Sequence, residues 1–145
     1  MELLLQSNWL GLWHPIMVHF PIVLFSLTLM LDMLQTMGFV DSPKPATWLL
    51  TLGVLFLIPT LISGWEASYA FPKEDPMVRE HLIRALFLTP YALLYAIMRL
   101  FGREAPSIVY IGLSVVLVGL TYWTSNYGGI LTHGETPFSL SLPRV

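Results

Sequence analysis

The sequence predicts an all-α integral membrane protein, a four-helix up-and-down bundle in which residues 1–145 form a single domain. Hydrophobic residues make up 55% of the chain and charged residues only 11%, whereas soluble domains carry about a quarter charged residues. The mean hydropathy is +0.69. Four stretches are apolar over the length of about 20 residues that a helix needs to cross a bilayer. The connections between them are short, so consecutive helices must run antiparallel.

Each predicted span is bounded by residues that break helices. Pro15 and Pro106 lie where the first and fourth spans begin, and proline is favourable at the first helical position because its missing N–H would have no partner there. The pair Gly128-Gly129 predicts the end of the fourth helix. The expected spans are residues 15–37, 46–66, 80–101 and 106–127.

Two further features concern the spans and their surroundings. Pro21, Pro59 and Pro90 fall inside spans, which predicts kinks and backbone carbonyls left free for other donors. The segment before the first span, residues 1–13, has no basic start and no small-residue cleavage site. We therefore expect it not to be a cleaved signal but to lie as a short apolar segment in the headgroup region, where tryptophan prefers to sit.

Composition also limits the possible functions. The net charge of −2 gives no basic patch for nucleic acid, so membrane lipid is the expected surrounding and nucleic acid is not an expected partner. The chain has no cysteine, which excludes disulfides, thiolate metal ligands, iron–sulfur clusters and covalent c-type haem attachment. Any metal must be held by histidine, carboxylate, methionine or backbone groups.

The four histidines are predicted to gather at one face of the membrane. His14 and His19 lie where the first helix starts, His81 opens the third helix, and His133 follows the fourth. An even number of crossings separates these positions, so all four belong to the same side. Ionisable residues at membrane depth are costly unless paired and indicate a functional site by default.

The spacing of His14 and His19 limits how they can act together. His19 lies about 7.5 Å further along the helix axis than His14, inside the hydrocarbon, and about 140° around the helix. This spacing suits two separate centres, or one ligand and one supporting group, better than a single metal.

Three functions remain open from the residues alone. Neutral imidazole binds metals and haem iron, so the first is a redox subunit with one or two b-type haems; Arg84, on the same helix face as His81, is expected to pair with a haem propionate. The second is a zinc, copper or non-haem iron site that adds Glu66. The third is a cofactor-free assembly subunit. The candidate ligands are His14, His19, His81 and His133.

Some polar residues have structural interpretations. Asp32 lies near the end of the first span and is expected to be a helix-end acid close to the headgroups. Tyr91 and Tyr95, four residues apart on the third helix, are expected to form a packing stripe. No motif of catalytic hydrolysis is present in the sequence.

The opening of the first span resembles a family signature. Residues 14–21 read His-Pro-Ile-Met-Val-His-Phe-Pro, similar to the His-Pro-x-x-Val-His-Phe-Pro motif of an uncharacterised bacterial family of four-helix membrane proteins. Nearly the whole chain shares the resemblance. Its later landmarks are Ser63-Gly64-Trp65-Glu66, His81, Tyr127-Gly128-Gly129 and His133-Gly134.

The resemblance implies a redox setting, because family members are often encoded with, or fused to, c-type cytochromes. It implies that the histidine-rich face points to the periplasm from the bacterial inner membrane. The expected partners are a c-type cytochrome or a larger respiratory or photosynthetic complex, and self-association into a homo-oligomer stays open. Glu66 stands where the family more often has aspartate.

Overall fold

A computed structural model describes residues 9–72, 75–102 and 107–133, with side chains described to residue 131 in the last helix. The helices are α1 (Trp9–Leu12), α2 (His14–Met17), α3 (His19–Thr36), α4 (Lys44–Ser68), α5 (Pro76–Phe101) and α6 (Ser107–His133). Within these described residues, four segments are long and apolar enough to cross a membrane: His14–Thr36, Lys44–Ser68, Pro76–Phe101 and Ser107–Leu131. The predicted all-α membrane bundle is confirmed.

The four long helices form a closed ring of neighbours. α3 packs against α4 and α6, and α5 packs against the same two helices. Phe25, Leu50 and Leu117 are fully buried in the centre, while residues such as Leu86 and Leu94 remain 65% exposed on the outside. An apolar exterior of this kind suits lipid as the solvent. α3 and α5 therefore lie diagonally opposite each other.

We use the term histidine end for the end of the bundle that contains α2, the end of α4, the start of α5 and the end of α6. Here α5 begins at Pro76, four residues earlier than predicted. Asp75 caps it, since its carboxylate accepts a 2.8 Å hydrogen bond from the Met77 N–H, and Pro76 occupies the first helical position. An aspartate followed by proline is a helix start signal. It places residues 76–79 in the helix, whereas the predicted span leaves them in the connection.

The fourth helix also departs from its predicted end. α6 continues through Gly128-Gly129 to His133, so the glycine pair does not terminate it. A helical glycine costs only about 1 kcal/mol, whereas unpaired backbone groups at membrane depth cost several. Gly128 also lies against the ring of His81, which gives it a packing role inside the helix.

Pro21 accounts for the break between α2 and α3 within the first membrane span. α2 and α3 are separated at Val18, and Pro21 has no N–H to bond the carbonyl of Met17, four residues earlier. The Thr60 hydroxyl lies 3.1 Å from that carbonyl and 2.7 Å from the carbonyl of Phe56 in α4, so its single proton is shared between them. The predicted free carbonyl thus meets a donor from another helix, which ties α2 to α4. Pro59 and Pro90 lie within the continuous helices α4 and α5.

The helix α1 covers part of the histidine end. A Cβ at Gly11 would lie 2.8 Å from the backbone nitrogen of Ala67, so the backbones of α1 and α4 touch. Trp9 and Trp13 are 60% and 49% exposed, as expected for aromatic side chains at a membrane interface. Residues 1–8 of the predicted apolar segment lie outside the described residues.

The prediction for Asp32 is wrong. Asp32 is 1% exposed, and its carboxylate forms an ion pair with Arg99 inside the bundle, at the end opposite the histidines. α3 and α5 run antiparallel to α4 and α6, so an acid late in α3 and a base late in α5 reach the same depth. Attraction between these charges in a medium of low dielectric outweighs access to the headgroups.

The two tyrosines of α5 do more than pack. The Tyr91 hydroxyl donates to the carbonyl of Leu113 at 2.8 Å. The Tyr95 hydroxyl lies 3.0 Å from Ser114 Oγ and accepts from Arg99 Nη1 at 2.9 Å. Both residues therefore fasten α5 to α6 through polar contacts.

Candidate functional site at the histidine end

Two of the four histidines meet inside the bundle. The imidazole of His14, from α2, and that of His81, from α5, have ring centroids 6.2 Å apart and planes inclined by 79°. Residues 67 positions apart in sequence are brought together by two crossings of the chain. Both side chains are partly buried, and they bring α2, which precedes α3 in the first span, close to α5.

Backbone carbonyls fix the orientation of both rings. His14 Nδ1 lies 3.2 Å from the Thr60 carbonyl oxygen and 3.2 Å from Ser63 Oγ. His81 Nδ1 lies 3.0 Å from the Thr124 carbonyl oxygen. A carbonyl can only accept, so each Nδ1 carries the proton and each Nε2 keeps a free lone pair. That is the tautomer of a metal-ligating histidine whose second nitrogen is anchored.

The two histidines line a large cavity. Its volume is about 940 Å³, near the upper end of the roughly 300–1,000 Å³ found for ligand and cofactor sites. Its lining residues come from α2 to α6 and from the connection between α4 and α5. Its walls are mainly apolar and include Pro21, Leu57, Leu61, Leu82, Leu86 and Leu88.

Two arginines of α5 take different positions around this cavity. Arg79 is among the residues that line it. Arg84 is directed toward α6 instead, where it donates to the Trp123 carbonyl at 3.2 Å. Its guanidinium lies 4.3 Å from the ring centroid of Trp123 and 3.4 Å from that of Tyr127. The sequence favoured Arg84 as the propionate partner; the structure places Arg79 beside the cavity.

Of the other candidate ligands, His19 and Glu66 have described side chains, and neither forms a metal-binding group with the His14–His81 pair. His19 is exposed, and its Nδ1 bonds the Pro15 carbonyl of α2. Glu66 is partly buried near α1, with its backbone against Gly11. His133 ends α6, and its side chain is outside the described residues. Within residues 9–72, 75–102 and 107–131, no three His, Asp or Glu side chains form a group that could hold a metal ion.

Comparison with protein families identifies what kind of chain this is. Residues 13–135 match the model of a family described as predicted membrane protein (DUF2231). The chain belongs to this family. The matched region contains all four membrane-spanning segments and every histidine, so the site lies in the part of the chain that defines the family. No curated protein and no solved structure matches the sequence.

Proposed function

We propose that this chain binds one b-type haem between His14 and His81 and passes electrons within the membrane as a subunit of a redox assembly. The observation that carries the proposal is the 6.2 Å separation of the two imidazole centroids, with each Nδ1 anchored to a carbonyl. The macrocycle would supply four ligands to iron, and the protein the remaining two.

The separation of the rings can be compared with the values that different metal centres would require. A metal–nitrogen bond is about 2.0–2.1 Å, so two imidazoles in trans positions have centroids about 6.3 Å apart, whereas two ligands of a tetrahedral metal have centroids about 5.2 Å apart. The observed 6.2 Å is close to the first of these values, so His14 and His81 would be able to hold a haem iron between them.

The surroundings of the pair also suit a macrocycle. Apolar side chains such as Leu61 and Leu82 line the cavity, and an apolar, water-poor site holds an uncharged ring system well. Arg79 lines the same cavity and is the residue we propose to pair with a propionate. Arg84 would act indirectly, by fastening the start of α5 to the end of α6.

One haem per chain is the stoichiometry that the described residues support. His19 is exposed to the surroundings of the bundle, so its imidazole is available to lipid or to another subunit rather than to the interior site. We propose that the protein lies in the bacterial inner membrane with its histidine end toward the periplasm. There a c-type cytochrome, or a larger respiratory or photosynthetic complex, would exchange electrons with it.

The proposal is tested by identifying what purified protein contains. A pyridine haemochrome spectrum of b-type haem at one per chain supports it. Zinc, copper or iron at stoichiometric amounts without a Soret band contradicts it and supports the non-haem metal site. Protein free of both, prepared from cells supplied with haem, contradicts it in favour of the cofactor-free assembly subunit.

A further inference from the structure

We propose that Gly64 and Gly128 are positioning residues that hold the two imidazole planes crossed, and thereby set the electronic character of the bound iron. The inference rests on the haem site proposed above and adds what its ligand orientation must be. It concerns two glycines whose role the sequence motifs Ser63-Gly64-Trp65-Glu66 and Tyr127-Gly128-Gly129 leave open.

Gly64 of α4 lies close to the Nδ1, Cε1 and Nε2 atoms of the His14 ring. A Cβ at this position would come within 2.8 Å of His14 Cε1 and 3.2 Å of its Nδ1. Carbon atoms in contact normally stay about 3.5–4.0 Å apart. Since Nδ1 of the same ring is held by Thr60 and Ser63, an added methyl group would have to turn or displace the imidazole.

Gly128 of α6 has the same relationship to His81. A Cβ there would lie 3.2 Å from His81 Cε1 and 3.7 Å from its Nδ1. The carbonyl of Thr124, one turn earlier in α6, bonds that nitrogen at 3.0 Å. Each ring is thus held by one carbonyl and one glycine: His14 by α4, and His81 by α6. The two supports come from different helices, and the planes they define are inclined by 79°.

Crossed and coplanar ligand planes differ in a measurable way. An axial imidazole donates through its π orbital into the iron d orbital perpendicular to the ring plane. Crossed rings act on two different d orbitals about equally and leave them nearly degenerate, while coplanar rings act on one and split them. Near degeneracy leaves orbital angular momentum unquenched, so crossed ligands give a highly anisotropic low-spin ferric signal in electron paramagnetic resonance. Coplanar ligands give an ordinary rhombic signal.

The test is the low-temperature resonance spectrum of the ferric protein in its wild-type form and in glycine variants. Wild-type protein is expected to show the highly anisotropic signal. Gly64→Ala is expected to lower the largest g value toward that of a rhombic spectrum, and Gly128→Ala, whose contact is looser, to lower it less. Where Gly64→Ala binds no haem, Gly128→Ala decides the question.

Three control variants separate ring orientation from general effects of alanine. Gly112→Ala and Gly119→Ala introduce methyl groups on α6 that meet nothing within 4 Å, so the g values should not move. Gly53→Ala would press its Cβ against the ring of Phe25, far from the histidines. It should lower thermal stability while leaving the g values unchanged.

The outcomes distinguish this inference from the proposed function. A wild-type rhombic signal, or unchanged g values in both Gly64→Ala and Gly128→Ala, overturns the inference while the haem site stands. Equal shifts in Gly53→Ala and Gly64→Ala overturn it also, because a general loss of packing would then explain them. A wild-type protein that binds no haem overturns the haem site, and the inference with it.

Discussion

Arg99 Nη1 lies 2.9 Å from each carboxylate oxygen of Asp32, and both side chains are buried within the bundle. Ser114 Oγ donates to the same carboxylate at 2.6 Å. The pair connects α3 to α5 across the diagonal at the end opposite the histidines. At the histidine end, His14 of α2, which precedes α3 in the first membrane span, approaches His81 of α5. Polar side chains of the first span and of α5 therefore lie close together at both ends of the bundle.

Removing only one charge of the Asp32–Arg99 ion pair is expected to destabilise the protein strongly. Asp32→Leu leaves the guanidinium of Arg99 buried without a counter-charge, which typically costs about 3–5 kcal/mol. The double variant Asp32→Leu/Arg99→Met removes both charges and should regain much of that loss. Thermal unfolding in detergent micelles measures the difference, with the exposed Asp41→Leu as a control. A double variant no more stable than Asp32→Leu would contradict this account.

The hydroxyl groups around the ion pair should contribute less than the charges. Tyr95→Phe removes the bonds from its hydroxyl to Arg99 and Ser114 without changing the ring. Polar contacts between membrane helices are worth about 0.6 kcal/mol on average and up to about 1.7, so a loss in that range is expected in the free energy of unfolding. Tyr122→Phe, at a side chain 50% exposed, should be neutral; equal effects of the two variants would argue against the network.

Replacing Arg79 is expected to weaken haem binding, and replacing Arg84 is expected to lower stability. Arg79→Ala should raise the Kd for haem by up to about fivefold, because an exposed ion pair is worth about 0.2–1 kcal/mol. Arg84→Ala loses its contacts with Trp123 and Tyr127 and should lower the Tm, as cation–π contacts are worth about 0.5–2 kcal/mol. Haem titration and thermal unfolding of both variants check this. If Arg84→Ala raised the Kd for haem and Arg79→Ala lowered the Tm, Arg84 would be the residue that pairs with the propionate.

The orientation in the membrane can be tested by labelling, because the chain contains no cysteine and each single-cysteine variant therefore has one reactive site. Ala70→Cys lies in the exposed turn after α4, at the histidine end, and Asp41→Cys lies in the exposed connection between α3 and α4. A membrane-impermeant maleimide should label Ala70→Cys in intact cells and Asp41→Cys only after the membrane is opened. Labelling in the opposite order would place the histidines in the cytoplasm.

Much of the fold follows from elementary properties of the sequence. Apolar stretches of sufficient length, separated by breakers, determine four crossings, and crossing number alone predicts that His14 and His81 share one end. The predicted helix boundaries agree less well with the structure, because two local signals act differently from the prediction. Asp75-Pro76 starts a helix in a segment expected to be a loop, and Gly128-Gly129 continues one where an end was expected.

The interior contacts were harder to predict because they depend on helix rotation. The spacing of His14 and His19 predicts that they face different directions but not which of them faces inward. The rotation of α5 about its axis likewise decides whether Arg79 or Arg84 faces the cavity. The ion pair of Asp32 and Arg99 had one usable signal, opposite charges at the same depth in two spans. The roles of Gly64 and Gly128 depend on contacts with rings from other helices, which no pattern within one helix reveals.

The most direct test of the proposed site is haem binding by single-histidine variants, measured through the Soret band of purified protein. His14→Ala and His81→Ala should each lose the bis-histidine low-spin spectrum and regain a low-spin spectrum when imidazole is added, because imidazole can occupy the vacated axial position. His19→Ala should bind haem as the wild-type protein does. An unchanged spectrum in either His14→Ala or His81→Ala, or loss of haem in His19→Ala alone, would contradict the assignment.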